Sequence, residues 1–252
     1  MPAESLAGRT ALVTGAARRI GRAIAIGLAR EGVNVLVHYR RSVVEAENLA
    51  EQLRGIGVQA WPVQADFQRP AEYETLVQRS LELAGSLDIL VNSAAVFTPD
   101  TLAEATLASL VRDIEVNAWV PFALGREFAT RASRGSILNL LDSRLRGHDY
   151  RHVSYILSKH LLAVLTEMMA VEFAPGVRVN AIAPGLILPP PGQPDSYLDK
   201  LAPSVPLRRH GGPEDIVEAA LCLLRSDFVT GQVIFVDGGR HLKEYGDEQQ
   251  PG

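Results

Sequence analysis

The chain has 252 residues, 47% of them apolar, which is enough for one α/β domain with a buried core but short for two. Its formal net charge is −4 with no long block of either sign, so nucleic-acid binding by a basic face is not indicated. No run approaches the roughly 18 apolar residues that cross a bilayer, and the N-terminal stretch has no basic region leading into an apolar one. We therefore expect a cytoplasmic protein that binds neither membrane nor nucleic acid.

Short β-branched runs alternate with longer segments of helical period, which is typical of βαβ units and a parallel sheet. The predicted strands cover 10–14, 33–38, 58–63, 87–91, 136–141, 177–182 and 233–236. The first helix is predicted to start near Ile20, and the others to cover about 43–54, 71–84, 107–131, 153–173 and 214–224. This pattern predicts one α/β domain over 1–252, a Rossmann-type, doubly wound, seven-stranded parallel sheet with helices on both faces. Such sheets bind ligands at the carboxyl ends of their strands.

Two segments interrupt or follow this alternation. Between Pro184 and Pro213 the chain is rich in proline and glycine, too irregular for a core element and long enough for a lid. We therefore predict a substrate lid at 186–212. The polar end of the chain, from about 244, is predicted to be a flexible tail.

The cysteine and histidine content indicates neither a disulfide framework nor a metal site. The single cysteine, Cys222, lies in an apolar helical pattern and is predicted to be a buried core thiol rather than a reactive one. His148 and His152 are four residues apart, but no third ligand stands at a recognised spacing. We expect both histidines to be solvated, and we expect no metal.

A glycine-containing loop, Thr14-Gly15-Ala16-Ala17-Arg18-Arg19-Ile20-Gly21, connects the first strand to its helix. Small residues at such a point let backbone N–H groups approach a pyrophosphate at the helix N-terminus. Alone, the loop is equally compatible with a structural turn. It becomes informative together with the motifs that follow.

The end of the second strand bears on the choice of coenzyme. NAD sites usually have an acidic residue there, whereas this chain has His38-Tyr39-Arg40-Arg41-Ser42. Arginine with a serine hydroxyl suits a 2′-phosphate, since a guanidinium forms paired charged hydrogen bonds with phosphate. Arg18 is in reach of the same phosphate, and Asp66 is expected at the adenine. A solvated basic corner is the alternative, and NADP(H) is the prediction.

Tyr155 and Lys159 lie one helical turn apart on one face of a predicted helix. A nearby cation stabilises tyrosinate, so we expect Lys159 to lower the pKa of the phenol and make it a better acid near neutral pH. Lysine can also hold the ribose of a coenzyme. The alternative is an ordinary surface pair.

Several motifs thus occur together, and they are the loop at 14–21, Tyr155 with Lys159, Val91-Asn92-Ser93-Ala94-Ala95, Asn117 and Ala183-Pro184-Gly185. In this combination the chain resembles the short-chain dehydrogenase/reductase family over almost its whole length. The resemblance implies hydride transfer from a nicotinamide, with Tyr155 as proton donor, Lys159 as its activator and Asn117 as a helper that holds a water. It also implies a homo-oligomer, with a tetramer favoured over a dimer.

The chain departs from that family at two positions. Where relatives usually have a serine, thirteen residues before the tyrosine, this chain has Asp142. An ionised aspartate has no hydrogen to donate to a carbonyl oxygen, so ordinary ketone reduction is disfavoured. The usual middle glycine of the loop is Arg19. Both departures resemble the pteridine reductase branch, which includes bacterial dihydromonapterin reductases, and Phe97 resembles that branch's aromatic residue that stacks on the pterin.

The pterin chemistry is consistent with these residues, because a carboxylate accepts from pterin N–H groups. In a dihydropterin, hydride would add to C6 and a proton to N5, through Tyr155 and Asp142. Alternatives remain: Asp142 as a turn residue with Ser143 in its place, Phe97 as ordinary core, and Arg19 as a phosphate clamp. Two substitutions weaken the match, and they are Ala95 and Leu188.

The expected site residues are as follows. Catalytic roles are expected for Asn117, Asp142, Tyr155 and Lys159. Contacts to NADPH/NADP+ are expected for Gly15, Arg18, Arg19, Ile20, His38, Tyr39, Arg40, Arg41, Ser42, Asp66, Phe67, Asn92, Ser93, Ala94, Tyr155, Lys159, Pro184, Gly185 and Leu186. Contacts to the substrate are expected for Arg19, Phe97, Asp142, Tyr155 and Leu186.

The functional expectation is an NADPH-dependent reductase of a dihydropterin such as dihydromonapterin, dihydrobiopterin or dihydrofolate, giving the tetrahydro form, as in tetrahydrobiopterin. The first alternative is a carbonyl reductase for a 3-oxoacyl thioester or a sugar, using Ser143 and Tyr155. The second is a regulatory protein that binds NADP(H) without turnover. The presence of Asn117, Tyr155 and Lys159 argues against it, since a binding module needs no proton donor.

Overall fold

The computed structural model describes residues 4–132, 134–147, 149–190, 192–194 and 196–243. Within these ranges seven strands form one parallel sheet in the order β3-β2-β1-β4-β5-β6-β7. The strands are β1 Thr10–Val13, β2 Asn34–Tyr39, β3 Ala60–Gln64, β4 Ile89–Asn92, β5 Gly135–Leu140, β6 Val177–Pro184 and β7 Val233–Val236. The predicted doubly wound α/β fold is thereby confirmed.

Alternating side chains of the strands serve two cores. In β1, Ala11 and Val13 pack on one face of the sheet and Leu12 packs on the other. The central strands are buried on both faces, as expected of a parallel sheet covered by helices. This double burial makes the strands nearly continuous apolar runs, which is why their sequence is easy to recognise.

The helices divide between the two faces. The helices α1 Arg19–Arg30, α2 Val43–Ile56 and α9 Pro213–Arg225 contribute to one core. The other face has α4 Leu76–Ala84, α6 Val120–Arg131 and α7 Val153–Glu172, and α5 Leu107–Ile114 packs against α7. The shorter helices are α3 Pro70–Tyr73 and α8 Ser196–Leu201.

The pairing of the strands shows at which edge of the sheet a ligand would bind. Val13 of β1 is paired with Val37 of β2 on one side and with Val91 of β4 on the other. The chain winds outward from β1 to β3 and then crosses back to β4. A crevice opens at such a switch point, beyond the carboxyl ends of β1 and β4.

In the described ranges, no helix is both long and apolar enough to cross a membrane.

Three predicted elements need correction. The helix predicted at 71–84 is interrupted between Tyr73 and Leu76, so it forms α3 and α4. The helix predicted at 107–131 contains one π-helical turn, Glu115–Trp119, between α5 and α6. Inside the predicted lid, α8 and a 3₁₀ turn at Ala202–Ser204 were not predicted.

Other predictions meet different outcomes. Cys222 was expected in the core but is exposed, because it lies on the outer face of α9. The predicted tail from about 244 and His148 lie outside the described residues. So do positions 191 and 195 of the predicted lid. The lid therefore remains a prediction.

Candidate functional site

A cleft of about 670 Å³ lies beyond the carboxyl ends of β1, β4, β5 and β6. Most of the expected site residues line it, namely Gly15, Arg18, Arg19, Ile20, His38, Arg40, Asp66, Phe67, Ser93, Ala94, Phe97, Asp142, Tyr155, Lys159, Pro184, Gly185 and Leu186. Its volume is in the range usual for small-molecule sites. Five expected residues are not part of its wall, and they are Tyr39, Arg41, Ser42, Asn92 and Asn117.

The loop after β1 is held close to the end of β4. Gly15 has φ +65°, and a Cβ there would lie 2.9 Å from the Cα of Ala94. The Thr14 hydroxyl accepts hydrogen bonds from the backbone N–H groups of Ser93, at 2.9 Å, and Ala94, at 3.0 Å. Only glycine fits this approach, so the loop packs directly against the start of the segment after β4, in the wall of the cleft.

His38 supports this loop from behind. The Gly15 N–H donates to its Nδ1 at 3.0 Å, and its Nε2 lies 3.1 Å from the Ala65 carbonyl oxygen. The ring is 2% exposed and stacks on Phe67 with centroids 4.5 Å apart. Burial lowers the pKa of His38 to about 4, with a smaller lowering from Arg79 and an opposing effect of the Ala65 hydrogen bond. The ring is therefore neutral, and it braces the loop from within the wall of the cleft.

The basic corner at the end of β2 is partly paired already. Arg18 forms an ion pair with Glu45. Arg40 places its Nε 3.0 Å from Asp66 Oδ2 and donates from Nη2 to Gln68 at 2.8 Å. Burial raises the pKa of Asp66, but the Gln68 N–H and the charge of Arg40 outweigh it and lower the pKa overall.

The remaining polar residues of this corner differ in exposure. Arg41 is exposed, whereas Tyr39 and Ser42 are half-buried. The expected contact Asn92 is 2% exposed and donates to Asn139 Oδ1 at 2.8 Å, because its side chain points into the core. The correction for Asn92 is that its side chain organises β4 and β5 and does not face the cleft.

Arg19 connects the loop to the predicted lid. It has φ +56°, which is unusual for a residue with a side chain. Its Nη2 donates to the Pro189 carbonyl oxygen at 2.9 Å. On the same side, a Cβ on Gly185 would lie 2.5 Å from the Cβ of Asp237, so the backbone after β6 packs tightly against the segment after β7.

Tyr155 and Asp142 are in direct contact. The Tyr155 hydroxyl donates to Asp142 Oδ2 at 3.1 Å, although the residues are thirteen apart in the chain. Asp142 also accepts from the Arg144 backbone N–H at 2.9 Å and caps a 3₁₀ turn, Ser143–Arg146. Asp142 is thus both the turn residue and the partner of the phenol. Ser143 is 1% exposed and also lines the cleft.

The pKa of the phenol differs from the expectation. Burial and the charge of Asp142 raise the pKa of Tyr155 well above its usual value, with an opposing effect of Arg144. Lys159 donates from Nζ to the Leu140 carbonyl oxygen at 2.6 Å, and its Nζ lies 5.7 Å from the centre of the Tyr155 ring. Burial lowers the pKa of Lys159 to about 8. The expectation that Lys159 lowers the pKa of the phenol is therefore wrong for the protein without coenzyme or substrate. In this form the Tyr155 phenol is protonated.

Asn117 lies in the π turn of the long helix, a feature frequent at functional sites. Its Oδ1 accepts from the Val96 N–H at 2.8 Å, and its Nδ2 donates to Val96 O and to Ser158 Oγ, both at 2.9 Å. These bonds use both N–H donors of the amide and one of the two lone pairs of its oxygen, and the expected role of holding a water stays a prediction. The side chain fixes the segment after β4 against α7.

Phe97 stands beside the phenol. Its side chain is 42% exposed, so the alternative of ordinary core is wrong. Its centroid is 4.7 Å from that of Tyr155, edge to face, and 3.9 Å from that of His152, stacked. The expectation of a solvated His152 is therefore wrong, since its ring packs on Phe97 and its Nδ1 lies 2.9 Å from Asp149 Oδ2.

Sequence reasoning missed Arg144 and Asp149. Arg144 binds Asp142 through Nε at 3.1 Å and Nη2 at 3.2 Å, and it also pairs with Asp149. No periodicity or spacing marks this group, because the 3₁₀ turn determines which charges meet. The only signal in the sequence is the density of charge between 142 and 152. Among the residues that the structure describes, no group of three or more His, Cys, Asp or Glu is placed to hold a metal ion.

Comparison with known proteins gives one consistent family. A family model described as enoyl-(acyl carrier protein) reductase matches residues 15–241. A ketoacyl reductase of the granaticin polyketide synthase of Streptomyces violaceoruber is 36% identical over 92% of this chain and 96% of its own. A 3-oxoacyl-(acyl-carrier-protein) reductase of Staphylococcus epidermidis is 31% identical over 93% of this chain and 99% of its own.

A solved structure matches the fold closely. FolM alternative dihydrofolate reductase 1 from Brucella canis, complexed with NADP, superimposes with a TM-score of 0.91 at 32% identity. The superposition covers 98% of this chain and 99% of that one. These two sequence relatives are thus named for ketoacyl reduction, whereas this structural relative is named for dihydrofolate reduction.

Proposed function

The chain belongs to the short-chain dehydrogenase/reductase family, and we propose that within this family of oxidoreductases it is an NADPH-dependent reductase of dihydropterins. The observation that carries the proposal is the contact of 3.1 Å between Asp142 Oδ2 and the Tyr155 hydroxyl. A carboxylate at this point can accept hydrogen bonds but cannot donate one to a carbonyl oxygen. A pterin offers N–H donors to such a group and a ring nitrogen that must gain a proton.

The residues of the cleft fit a dinucleotide phosphate. Gly15 and Gly21 line the cleft at the start of α1, where backbone N–H groups can meet a pyrophosphate. Arg18, Arg40 and Arg41 surround the end of β2, where a carboxylate would select NAD. The Brucella canis relative is described as complexed with NADP, which supports the same coenzyme here. When bound, NADPH supplies the hydride.

Tyr155 is the proton donor in this proposal. The raised pKa keeps the phenol protonated at neutral pH but also makes it a weaker acid, so proton transfer depends on stabilisation of the tyrosinate by Lys159. Lys159 is buried, and its pKa of about 8 leaves it largely protonated at neutral pH. Its charge would stabilise the tyrosinate left after proton transfer. Asp142 orients the phenol and accepts N–H groups of the substrate.

A homo-oligomer, a tetramer in preference to a dimer, and a cytoplasmic location are part of the proposal. Support for association comes from α7, where exposed apolar side chains repeat at intervals of four and three residues. They are Leu157, Leu161, Val164, Met168 and Val171. This repeat is the seam pattern of packed helices. Light scattering coupled to gel filtration tests it, since a monomer at micromolar concentration would contradict it.

The decisive experiment measures NADPH oxidation with dihydrobiopterin, dihydromonapterin, dihydrofolate, a 3-oxoacyl thioester and a sugar ketone. Wild type is compared with Asp142→Ala, Asp142→Ser and the exposed control Asp227→Ala. We expect pterin turnover by wild type and the control, and a loss of about 100-fold in Asp142→Ala, as for removal of one preorganised polar group. NADPH binding without any turnover would support the regulatory alternative.

A carbonyl reductase is the second candidate. The ketoacyl reductases among the relatives favour it, as does the buried Ser143 in the wall of the cleft. It predicts that the enzyme reduces the carbonyl compounds and does not reduce the pterins. It also predicts that Asp142→Ala leaves the rate of carbonyl reduction unchanged. Asp142→Ser is informative here, because this candidate, with Ser143 as the hydrogen-bond donor, expects unchanged carbonyl turnover. A rise would show that the hydroxyl is needed at position 142.

A further inference from the structure

A chain of charged contacts lies directly behind Asp142. Arg144 binds both oxygens of Asp142, with Nε 3.1 Å from Oδ1 and Nη2 3.2 Å from Oδ2. Its Nη1 pairs with Asp149, whose Oδ2 is 2.9 Å from His152 Nδ1. One guanidinium therefore joins two carboxylates that the proposed mechanism does not connect.

The same chain reaches Phe97. The His152 ring stacks on Phe97 with an interplanar angle of 19°, and the Arg144 guanidinium carbon lies 5.7 Å from the centre of the Phe97 ring. Phe97 and Asp142 are the two surfaces that a flat substrate would meet, one by stacking and one by hydrogen bonds. Arg144 contacts both of them.

The burial of this group makes its contacts strong. Side-chain exposure is 22% for Arg144, 13% for Asp142 and 7% for Asp149. Burial raises the pKa of Asp149, but the His152 hydrogen bond and the Arg144 charge outweigh it and lower the pKa to about 2. Charged hydrogen bonds withdrawn from water are stronger than exposed ones. A planar guanidinium can bind one carboxylate through two donors and a second carboxylate through another, a fixed geometry that a lysine ammonium does not provide.

We propose that Arg144 is a positioning residue that fixes the distance and orientation of the Asp142 carboxylate relative to the Phe97 ring. The site thereby selects a flat fused ring with N–H donors on one edge. The inference rests on the proposed function and deepens it. A fused ring must meet the stacking surface and the acceptor together, so their spacing decides its affinity. An open-chain carbonyl compound needs no such spacing.

The test uses the full chain with Arg144→Met, Arg144→Lys and Asp149→Asn. The matched control is Arg146→Met, the same substitution in the same 3₁₀ turn at an exposed arginine near Phe235. The readouts are kcat and KM for a dihydropterin, the NADPH dissociation constant and the melting temperature. Inhibition constants are also measured for pterin and for its monocyclic fragment 2-amino-4-hydroxypyrimidine.

We expect Arg144→Met to raise KM about 30-fold and Arg144→Lys about tenfold, as loss of charged hydrogen bonds predicts. The NADPH dissociation constant should change less than about twofold, and Arg146→Met should match wild type. Inhibition by pterin should weaken more than inhibition by the fragment. Asp149→Asn, which keeps the volume, should raise KM about fivefold, as loss of one charged partner predicts.

Two results would overturn the inference while leaving the proposed function intact. One is an unchanged KM in Arg144→Met with kcat reduced only in proportion to the folded fraction, which indicates a merely structural role. The other is an equal weakening of pterin and fragment binding. A wild-type enzyme that is inert toward every pterin overturns both the proposed function and this inference, and it is recognised before any variant is made.

Discussion

The end of the cleft where we propose that NADPH binds, the coenzyme end, and the end where we propose that the substrate binds, the substrate end, are built by different means. At the coenzyme end, Thr14, Gly15 and His38 hold the loop through neutral groups and backbone N–H donors. At the substrate end, Asp142 and Arg144 belong to an ion-paired group within one short stretch of chain. The first is anchored to the ends of several strands, whereas the second depends on a 3₁₀ turn.

This difference has a physical consequence. Strand ends are fixed by the core of the sheet, so the coenzyme end tolerates little change without loss of the fold. Ion-paired side chains in a turn can be exchanged without disturbing the sheet, which suits a surface that sets substrate choice. The predictions below separate the two ends.

The largest effect is expected for Tyr155→Phe, which acts where the two ends meet. The change keeps the ring beside Phe97 and removes only the hydroxyl that contacts Asp142. Loss of a general acid should lower kcat for a dihydropterin about 10³-fold. The NADPH dissociation constant, measured by fluorescence titration, should rise by no more than about tenfold, since Tyr155 is one of many expected coenzyme contacts and one neutral hydrogen bond contributes about 1 kcal/mol. Retention of a tenth of the activity would exclude Tyr155 as the proton donor.

Acid should damage the coenzyme end first. Burial lowers the pKa of His38 from 6.5 to about 4, so the unfolded chain binds this proton more readily than the folded one. The contribution of His38 to the free energy of unfolding is therefore fully present above about pH 6.5. It decreases by about 3 kcal/mol as the pH falls toward 4.

The variant His38→Asn keeps an acceptor for the Gly15 N–H but does not titrate in this range. Its free energy of unfolding, measured in urea from pH 7 to pH 4, should fall by about 3 kcal/mol less than that of wild type. His210→Asn, at a ring that is only half-buried, serves as the control. Parallel pH profiles for wild type and His38→Asn would show that the ring does not carry this linkage.

A comparison of two glycine substitutions should separate the strain of a positive φ from the steric contact of a new Cβ with the segment after β4. In Gly15→Ala the new Cβ lies 2.9 Å from Ala94 Cα, in addition to the strain of a positive φ. Gly85→Ala has the same strain at φ +79° but no atom within 4 Å of the new Cβ. We expect Gly15→Ala to be less stable than Gly85→Ala by about 1–2 kcal/mol and to weaken NADPH binding at least about tenfold. Equal effects of the two substitutions would mean that the loop has room to move.

The fold and the coenzyme end could be predicted from the sequence because their signals are local. Apolar strands buried on both faces and the glycine of the first loop are recognisable without knowing the rest of the structure. The Tyr155/Lys159 pair is also local, since the residues are one helical turn apart. The pKa of Tyr155 is not, because burial and Asp142 set it from outside the helix.

The substrate end could be predicted only in part. The contact of Asp142 with Tyr155 followed from a family resemblance, whereas Arg144, Asp149 and the stacking of His152 did not. Which charges pair depends on a turn that only tertiary packing determines. The π turn at Asn117 was missed for the same reason, because its residues have the same helical pattern as those around them.

The smallest effect is expected where the coenzyme end reaches solvent, at Arg41. Arg40 is already engaged by Asp66 and Gln68, whereas Arg41 is exposed and adjacent to Ser42. Arg41→Met should lower the preference for NADPH over NADH about tenfold, as loss of one charged hydrogen bond to a 2′-phosphate predicts. The KM for NADH should not change, because NADH lacks that phosphate. The exposed Arg30→Met, at the far end of α1, is the control for loss of surface charge. An unchanged preference would assign the 2′-phosphate to Arg18 or Arg40, which would then have to exchange its present acidic partner for the coenzyme.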